Sequence, residues 1–409
     1  MSAETVTPAK NPPRGLGAMA GAMFLMATSA IGPGFLTQTS VFTVQMGAAF
    51  AFAILLSILV DIAIQLNVWR VLCVSGLRAN ELGNTVLPGL GWFLVFIGGV
   101  VFNIGGVVFN IGNIAGSGLG LNAMLGIDAR IGGVVSAAIA IFIFLSKKAG
   151  IALDRIVAAL GAIMILLMLY VAIVSQPPVG EALKNAVMPE QIDFFVITTL
   201  IGGTVGGYIT FAGAHRLIDS GLSGPEHVKD ITTTSVMGII ITGVMRVLLF
   251  LAVLGVAATG VALSEDNTAA DAFFHAAGDF GLRAFGVVLF AAGLSSVIGA
   301  SYTSITFVTT QRVAPRIRNF LTVGFVIGCT ILFVILNSAP QKLLIFAGAF
   351  NGIILPIAFA LVMWVAFRRR DLLGGVKHPV WLLVAGSLAL ILEIYIGIKA
   401  FSGIVNMWA

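Results

Sequence analysis

The chain has 409 residues, of which 59% are hydrophobic and only 10% charged, and a formal net charge of +5. A soluble domain carries about 25% charged residues, so these few charges cannot cover a water-soluble fold of this size. The positive charges lie between long apolar runs rather than on one basic face, which argues against nucleic acid as a partner.

Residues 1–15 are polar and Pro-rich and read as a disordered cytoplasmic tail. The first apolar segment shows no convincing cleavage signature and reads as a retained span. Apolar runs follow at 16–45, 48–74, 90–123, 130–146, 154–175, 193–219, 230–259, 281–309, 320–337, 341–367 and 379–403. A bilayer crossing takes about 20 residues, so the expected fold is an all-α membrane protein of about eleven transmembrane helices. Loops on one side hold Arg70, Arg78, Lys147, Lys148, Arg312, Arg316 and the Arg368-Arg369-Arg370 run, while the other side holds few basic residues. The positive-inside rule then places the N-terminus in the cytoplasm and the C-terminus outside, in an inner membrane. Cys73 and Cys329 form no CxxC or metal spacing and read as buried membrane cysteines.

Span 1 carries Gly32-Pro33-Gly34-Phe35 at its middle, followed by Thr37, Gln38 and Thr39. Proline removes a backbone donor and glycine weakens the helix on either side. Span 6 carries Gly202-Gly203 and Gly206-Gly207, with Thr204, Tyr208 and Thr210 beside them. Broken helices survive in lipid only where they line a cavity or are buried in protein. The competing reading of each Gly-rich stretch is a helix-packing surface. The two interruptions open the two five-helix halves, 16–175 and 193–367, which are expected to be inverted repeats, with 379–403 as an added helix. Paired interruptions point to the central site of a secondary transporter.

Other polar positions are candidates for coupling or gating. Asp61 in span 2, Arg246 in span 7 and Glu393 in span 11 lie inside apolar runs, where an ionisable residue either functions or pairs to fix packing. Asn103, Asn110 and Asn113 are the polar positions of span 3. His215 and Arg216 follow the span 6 interruption by about two turns and are expected to face the cytoplasmic vestibule. Ser295, Ser296, Ser301, Thr303 and Ser304 cluster on span 8, either as a cation site or as small packing residues. Asn351-Gly352 and Pro356 mark span 10 as irregular.

In order and spacing, spans 1 to 10 resemble the Nramp family of divalent-metal transporters, which have the leucine-transporter-like fold. The family carries Asp-Pro-Gly-Asn where this chain has Gly32-Pro33-Gly34-Phe35, and Ala-Thr-Val-Met-Pro-His where it has Gly203-Thr204-Val205-Gly206-Gly207-Tyr208. Stretch 292–302 is similar to the family's Gly- and Ser-rich span 8. The resemblance implies alternating access, and it also exposes a loss. The family's metal-binding aspartate, asparagine and methionine align with Gly32, Phe35 and Gly206. Its acidic span 3 positions are neutral here.

A dehydrated transition metal needs anionic or strongly donating ligands, so no metal site is expected. Helix N-termini with no opposing carboxylate favour an anion. The expected solute is therefore a small organic carboxylate or amino-acid-like compound. Divergent relatives with a Gly-Pro-Gly break are often encoded beside 5-oxoprolinase genes, so the resemblance extends to 5-oxoproline. The alternative is a divalent cation, magnesium or manganese, at a non-standard site. No enzyme is expected, since no HExxH pair, Gly-x-Ser-x-Gly elbow or Cys/His metal cluster occurs. The expected partners are the lipid bilayer and one small-molecule or ion substrate. No cofactor is expected beyond a coupling ion, H+ or Na+, and the oligomeric state is left open.

Overall fold

The computed structural model describes residues 32–86, 89–219, 221–309, 313–336 and 340–406. Among them every regular element is helical and no strand occurs. In chain order the helices are α1 (Pro33–Met46), α2 (Phe50–Ser75), α3 (Ala79–Val86), α4 (Leu90–Leu125), α5 (Ala129–Leu145), α6 (Lys147–Val174) and α7 (Val179–Val187). Then come α8 (Phe194–Thr204), α9 (Gly207–Asp219), α10 (Val228–Ala258), α11 (Thr268–Val308), α12 (Pro315–Leu336), α13 (Pro340–Arg368) and α14 (Val380–Asn406). The predicted tail at 1–15 lies outside the described residues.

Local chemistry sets several helix ends. Asp128 accepts from the N–H groups of Arg130 and Ile131 at 3.0 and 3.2 Å and starts α5. Asp193 accepts from Val196 N–H at 3.1 Å and starts α8. Each satisfies donors that a helix N-terminus leaves open. Gly126, in the left-handed region at φ 72°, closes α4 by donating to the Asn122 carbonyl at 2.8 Å.

Helices lie over the expected apolar runs wherever the residues are described, with differences at α11. α11 begins at Thr268, ahead of the run expected at 281–309, and bends at Ala277-Gly278, where Gly278 has φ 60°. By length and apolarity, six helical segments among the described residues can cross a membrane, or up to eight if each of two bent pairs is one span. The number falls below eleven because Pro33–Ser75 counts once though it holds two expected spans, because α4 and α5 count as one bent pair, and because span 6 is broken. Its first piece, α8, is 11 residues long.

The longest interface is antiparallel. Along α4 and α11, Met124 meets Gly286, Gly120 meets Phe290, Ser117 meets Gly293, Asn110 meets Ser301 and Gly106 meets Ser304. Glycine at these crossings lets the two backbones touch, the packing that membrane helices use in place of a hydrophobic drive. α8 and α13 pack the same way: Gly202 lies against Gly348 and Gly352, and Gly352 lies against the Thr198 carbonyl. One apolar cluster joins α2, α8, α9, α13 and α14, and a second joins α1, α4, α6, α10 and α11. The outward faces carry Phe142, Ile173, Phe320, Ile335 and Ile398, all strongly exposed. Apolar surface on that scale suits contact with lipid and not with water.

Candidate functional site

Span 6 breaks between its two glycine pairs. α8 ends at Thr204, Val205 and Gly206 form a turn, and α9 starts at Gly207. The N–H groups of Val205 and Gly206 both donate to the Ile201 carbonyl, at 2.7 and 2.9 Å. Thr210 Oγ1 bridges the gap by donating to the Val205 carbonyl at 2.6 Å. Trp69 Nε1 in turn donates to the Thr210 carbonyl at 3.0 Å and ties the start of α9 to α2. Thr204 Oγ1 donates to the Leu200 carbonyl at 2.6 Å. Both threonine hydroxyls therefore give their protons to carbonyls of their own span, and only lone pairs remain for a solute.

α1 starts at the span 1 tripeptide. Gly32 is extended, with φ −64° and ψ 176°, and Pro33 takes the first helical position. Proline suits that position because its missing N–H would have had no partner there. Leu36 N–H donates back to the Gly32 carbonyl at 3.3 Å. No side chain caps this end, so the N–H groups of Gly34 and Phe35 have no intrahelical acceptor. The half of span 1 before Gly32 lies outside the described residues.

α1 and α8 touch close to these points. Gln38, one turn into α1, lies against Gly203 of α8 and Gly348 of α13. Its Nε2 donates to the Leu344 carbonyl at 2.8 Å. Pro33 packs against Gly116 of α4. Phe35 belongs to the second apolar cluster, with Leu119, Met164, Leu249 and Phe285. Thr37 is buried, at 4% exposure. Around these lie buried polar atoms without a hydrogen-bond partner among the described residues: Gln38 Oε1, Thr39 Oγ1, Thr199 Oγ1, Ser296 Oγ, Asn351 Nδ2 and both side-chain atoms of Asn113. Buried polar groups in folded proteins are nearly always satisfied, often by water or a bound molecule.

Ser295 and Ser296 are buried on α11, and Asn351 is buried on α13. Asn110 Nδ2 donates to Ser301 Oγ at 3.0 Å. The side chains of Asn103, Tyr208, Thr303 and Arg216 lie outside the described residues, although each position, like Gly207, falls in a helix. Among the described residues, no group of three or more His, Cys, Asp and Glu side chains is arranged to hold a metal ion.

Other candidates sit elsewhere. Asp61 Oδ2 accepts from Arg246 Nη2 at 3.0 Å, and Ser57 Oγ accepts from Arg246 Nη1 at 3.4 Å. This pair joins α2 to α10 rather than facing the interruptions. His215 Nε2 accepts from Ala79 N–H at 3.4 Å, so α9 is tied at its far end to the start of α3. The sequence reading passed over Leu344 and Gly348, which hold Gln38. The Gly348-x-x-x-Gly352 spacing is the signal that marks their close approach to a second helix.

The chain matches the family model described as "Natural resistance-associated macrophage protein-like" over residues 23–402. It is 49% identical over 384 residues to the Bacillus subtilis protein listed as "Uncharacterized membrane protein YcsG", with 92% of each chain covered. In fold it is similar to an Eremococcus coleocola manganese transporter, with a TM-score of 0.72, 17% identity, and 99% of this chain and 91% of that chain covered. It is also similar to MhsT in complex with L-phenylalanine, with a TM-score of 0.64, 16% identity, and coverage of 98% and 100%.

Proposed function

Since this chain belongs to the Nramp family and has its leucine-transporter-like transporter fold, we propose that it carries a small organic carboxylate or amino-acid-like solute, such as 5-oxoproline, by alternating access. The carrying observation is the start of α1 at Gly32-Pro33, with no side-chain cap among the described residues, on a helix that touches α8 just before the α8–α9 gap, and with no carboxylate in 32–39 or 202–210. A helix N-terminus of this kind offers free N–H groups and a partial positive charge, and a carboxylate supplies the matching acceptor. Buried amide and hydroxyl groups of Gln38, Thr39, Thr199 and Asn351 supply the polar lining that orients a small solute.

In this proposal the two five-helix repeats, 16–175 and 193–367, rock against each other around the interruptions, with 379–403 as an addition. The eleven-span topology in an inner membrane, with a cytoplasmic N-terminus, is part of the same proposal and rests on the loop charges. H+ or Na+ serves as the coupling ion.

A second reading keeps a divalent cation as the solute. Its support is family membership and the likeness to a manganese transporter. A binding panel on purified protein separates the two, comparing manganese and magnesium with 5-oxoproline and common amino acids by calorimetry. The carboxylate reading expects heat from 5-oxoproline or an amino acid and none from either metal. Manganese binding that is lost in Thr204→Ala or Gly206→Leu would overturn it.

A further inference from the structure

Glu393 is placed unlike any other acid of the chain. It lies at the midpoint of the 27-residue α14 and is fully buried. Neither carboxyl oxygen has a hydrogen-bond partner among the described residues. A groove of about 380 Å³ opens beside it between α13 and α14, lined by Ile353, Pro356, Ile357 and Gly397. Its outer lip, Ile394 and Ile398, is exposed on the apolar face. Gly397 lets α14 lie close to Ile353. Pro356 stands inside α13, where it has no N–H for the Gly352 carbonyl one turn back. A buried acid thus stands next to a helix that lacks one backbone donor at its proline.

The charged and titratable groups of the neighbouring helices are engaged or remote. α8 carries none. On α2, Asp61 is bound to Arg246, Arg70 Nη2 donates to the Lys377 carbonyl, and Cys73 Sγ donates to the Ala214 carbonyl. On α13, Lys342 and Arg368 stand at opposite ends. On α14 itself, Lys399 lies over the Tyr395 ring, 5.9 Å from its centroid. Among the described residues Glu393 has no countercharge, and an isolated carboxylate at mid-membrane depth is costly.

We propose that Glu393 is a proton-binding site of the transport cycle, and that its protonation is linked to the packing of α13 around Pro356. The link to the central site is direct. Gly352 and Gly348, one and two turns before Pro356, pack on α8, and Leu344 holds Gln38. When the carboxyl holds its proton, the groove stays dry and α13 keeps its packing on α8. When it releases the proton, the bare charge draws water into the groove and toward the missing backbone hydrogen bond at Pro356. The inference rests on the transporter reading and supplies its coupling ion.

The test uses the full-length protein in lipid nanodiscs and two readouts that need no solute. The first is labelling by dicyclohexylcarbodiimide, an apolar reagent that adds to a protonated carboxyl. The carboxyl oxygen bonds the reagent's central carbon, the acid proton moves to one nitrogen, and an acyl shift to nitrogen leaves a stable N-acylurea with every atom retained. Mass spectrometry of the α14 peptide is expected to find the adduct on Glu393, falling as pH rises, and to find none in Glu393→Gln. The second is hydrogen exchange of the peptide spanning Pro356, corrected for the chemical exchange rate. Its protection is expected to fall with rising pH in the wild type and to be flat in Glu393→Gln. Absence of the adduct overturns the proposal. So does an adduct with identical exchange profiles in the two proteins, which would make Glu393 a buried acid without a linked motion. A failed solute panel would sink the transporter reading while leaving both readouts as they are.

Discussion

Gln38 and Leu344, 306 positions apart in the chain, are joined by a hydrogen bond of 2.8 Å from the glutamine Nε2 to the leucine carbonyl. That bond crosses from the restarted half of span 1 to span 10 and fills the space left by Gly203 and Gly348. With Gln38 also against Gly203, it holds α1, α8 and α13 together.

A methyl group at Gly203 or Gly348 would occupy the place of the Gln38 amide. Gly203→Ala, whose added methyl would meet Gln38 as its nearest neighbour, is expected to lower stability by about 1–3 kcal/mol, the usual range for overpacking. Gln38→Ala in the same protein should return part of that loss by vacating the space. Thermal unfolding of the single and double variants in detergent measures both effects. Additive losses would show that the contact does not hold in solution.

The Asp61–Arg246 pair predicts strong non-additivity. Both side chains are buried, at 4% and 1% exposure. Arg246→Met strands a carboxylate, and removal of one partner of a buried pair costs about 3–5 kcal/mol. The double variant Asp61→Asn with Arg246→Met removes both charges and is expected to recover most of that stability. Guanidine-free thermal scans of the four proteins complete the cycle.

Thr210→Val keeps the shape of the side chain and deletes the hydroxyl that caps the Val205 carbonyl. A buried acceptor left open costs about 1–3 kcal/mol. The loss should be local, appearing as faster hydrogen exchange at residues 205–210 with little change on α4 or α11. Uniform exchange across the chain would place the effect elsewhere.

His378 predicts a pH dependence. It lies outside the spans, where burial and the Arg70 charge push it from 6.5 to about 4, and its Nε2 is 2.8 Å from Asn67 Oδ1. Its folded-state value is depressed, so the unfolded chain takes up the proton first. The neutral ring's contribution is complete above about 6.5 and is lost as pH falls toward about 4. Melting temperature should drop through that window, and His378→Asn should flatten the drop.

Gly32 is extended, with φ −64°, so a side chain fits there without backbone strain. Gly32→Asp would put a carboxylate over the α1 N-terminus. Under the carboxylate reading, 5-oxoproline should bind at least about tenfold more weakly, or about 1.4 kcal/mol, by calorimetry. Unchanged affinity would place the solute elsewhere.

The amino-acid sequence alone determined the all-helical membrane class, the approximate boundaries of the apolar runs and the span 6 interruption. These follow from local rules. Long apolar stretches demand lipid, and glycine pairs weaken whichever helix they occupy. The tertiary structure decided the rest. It paired Asp61 with Arg246 across 185 positions, used the Thr204 and Thr210 hydroxyls within their own span, placed Phe35 in an apolar cluster and left Glu393 without a partner. Each outcome depends on which helices become neighbours. Close glycine packing between distant helices sets that arrangement, and no local pattern encodes it.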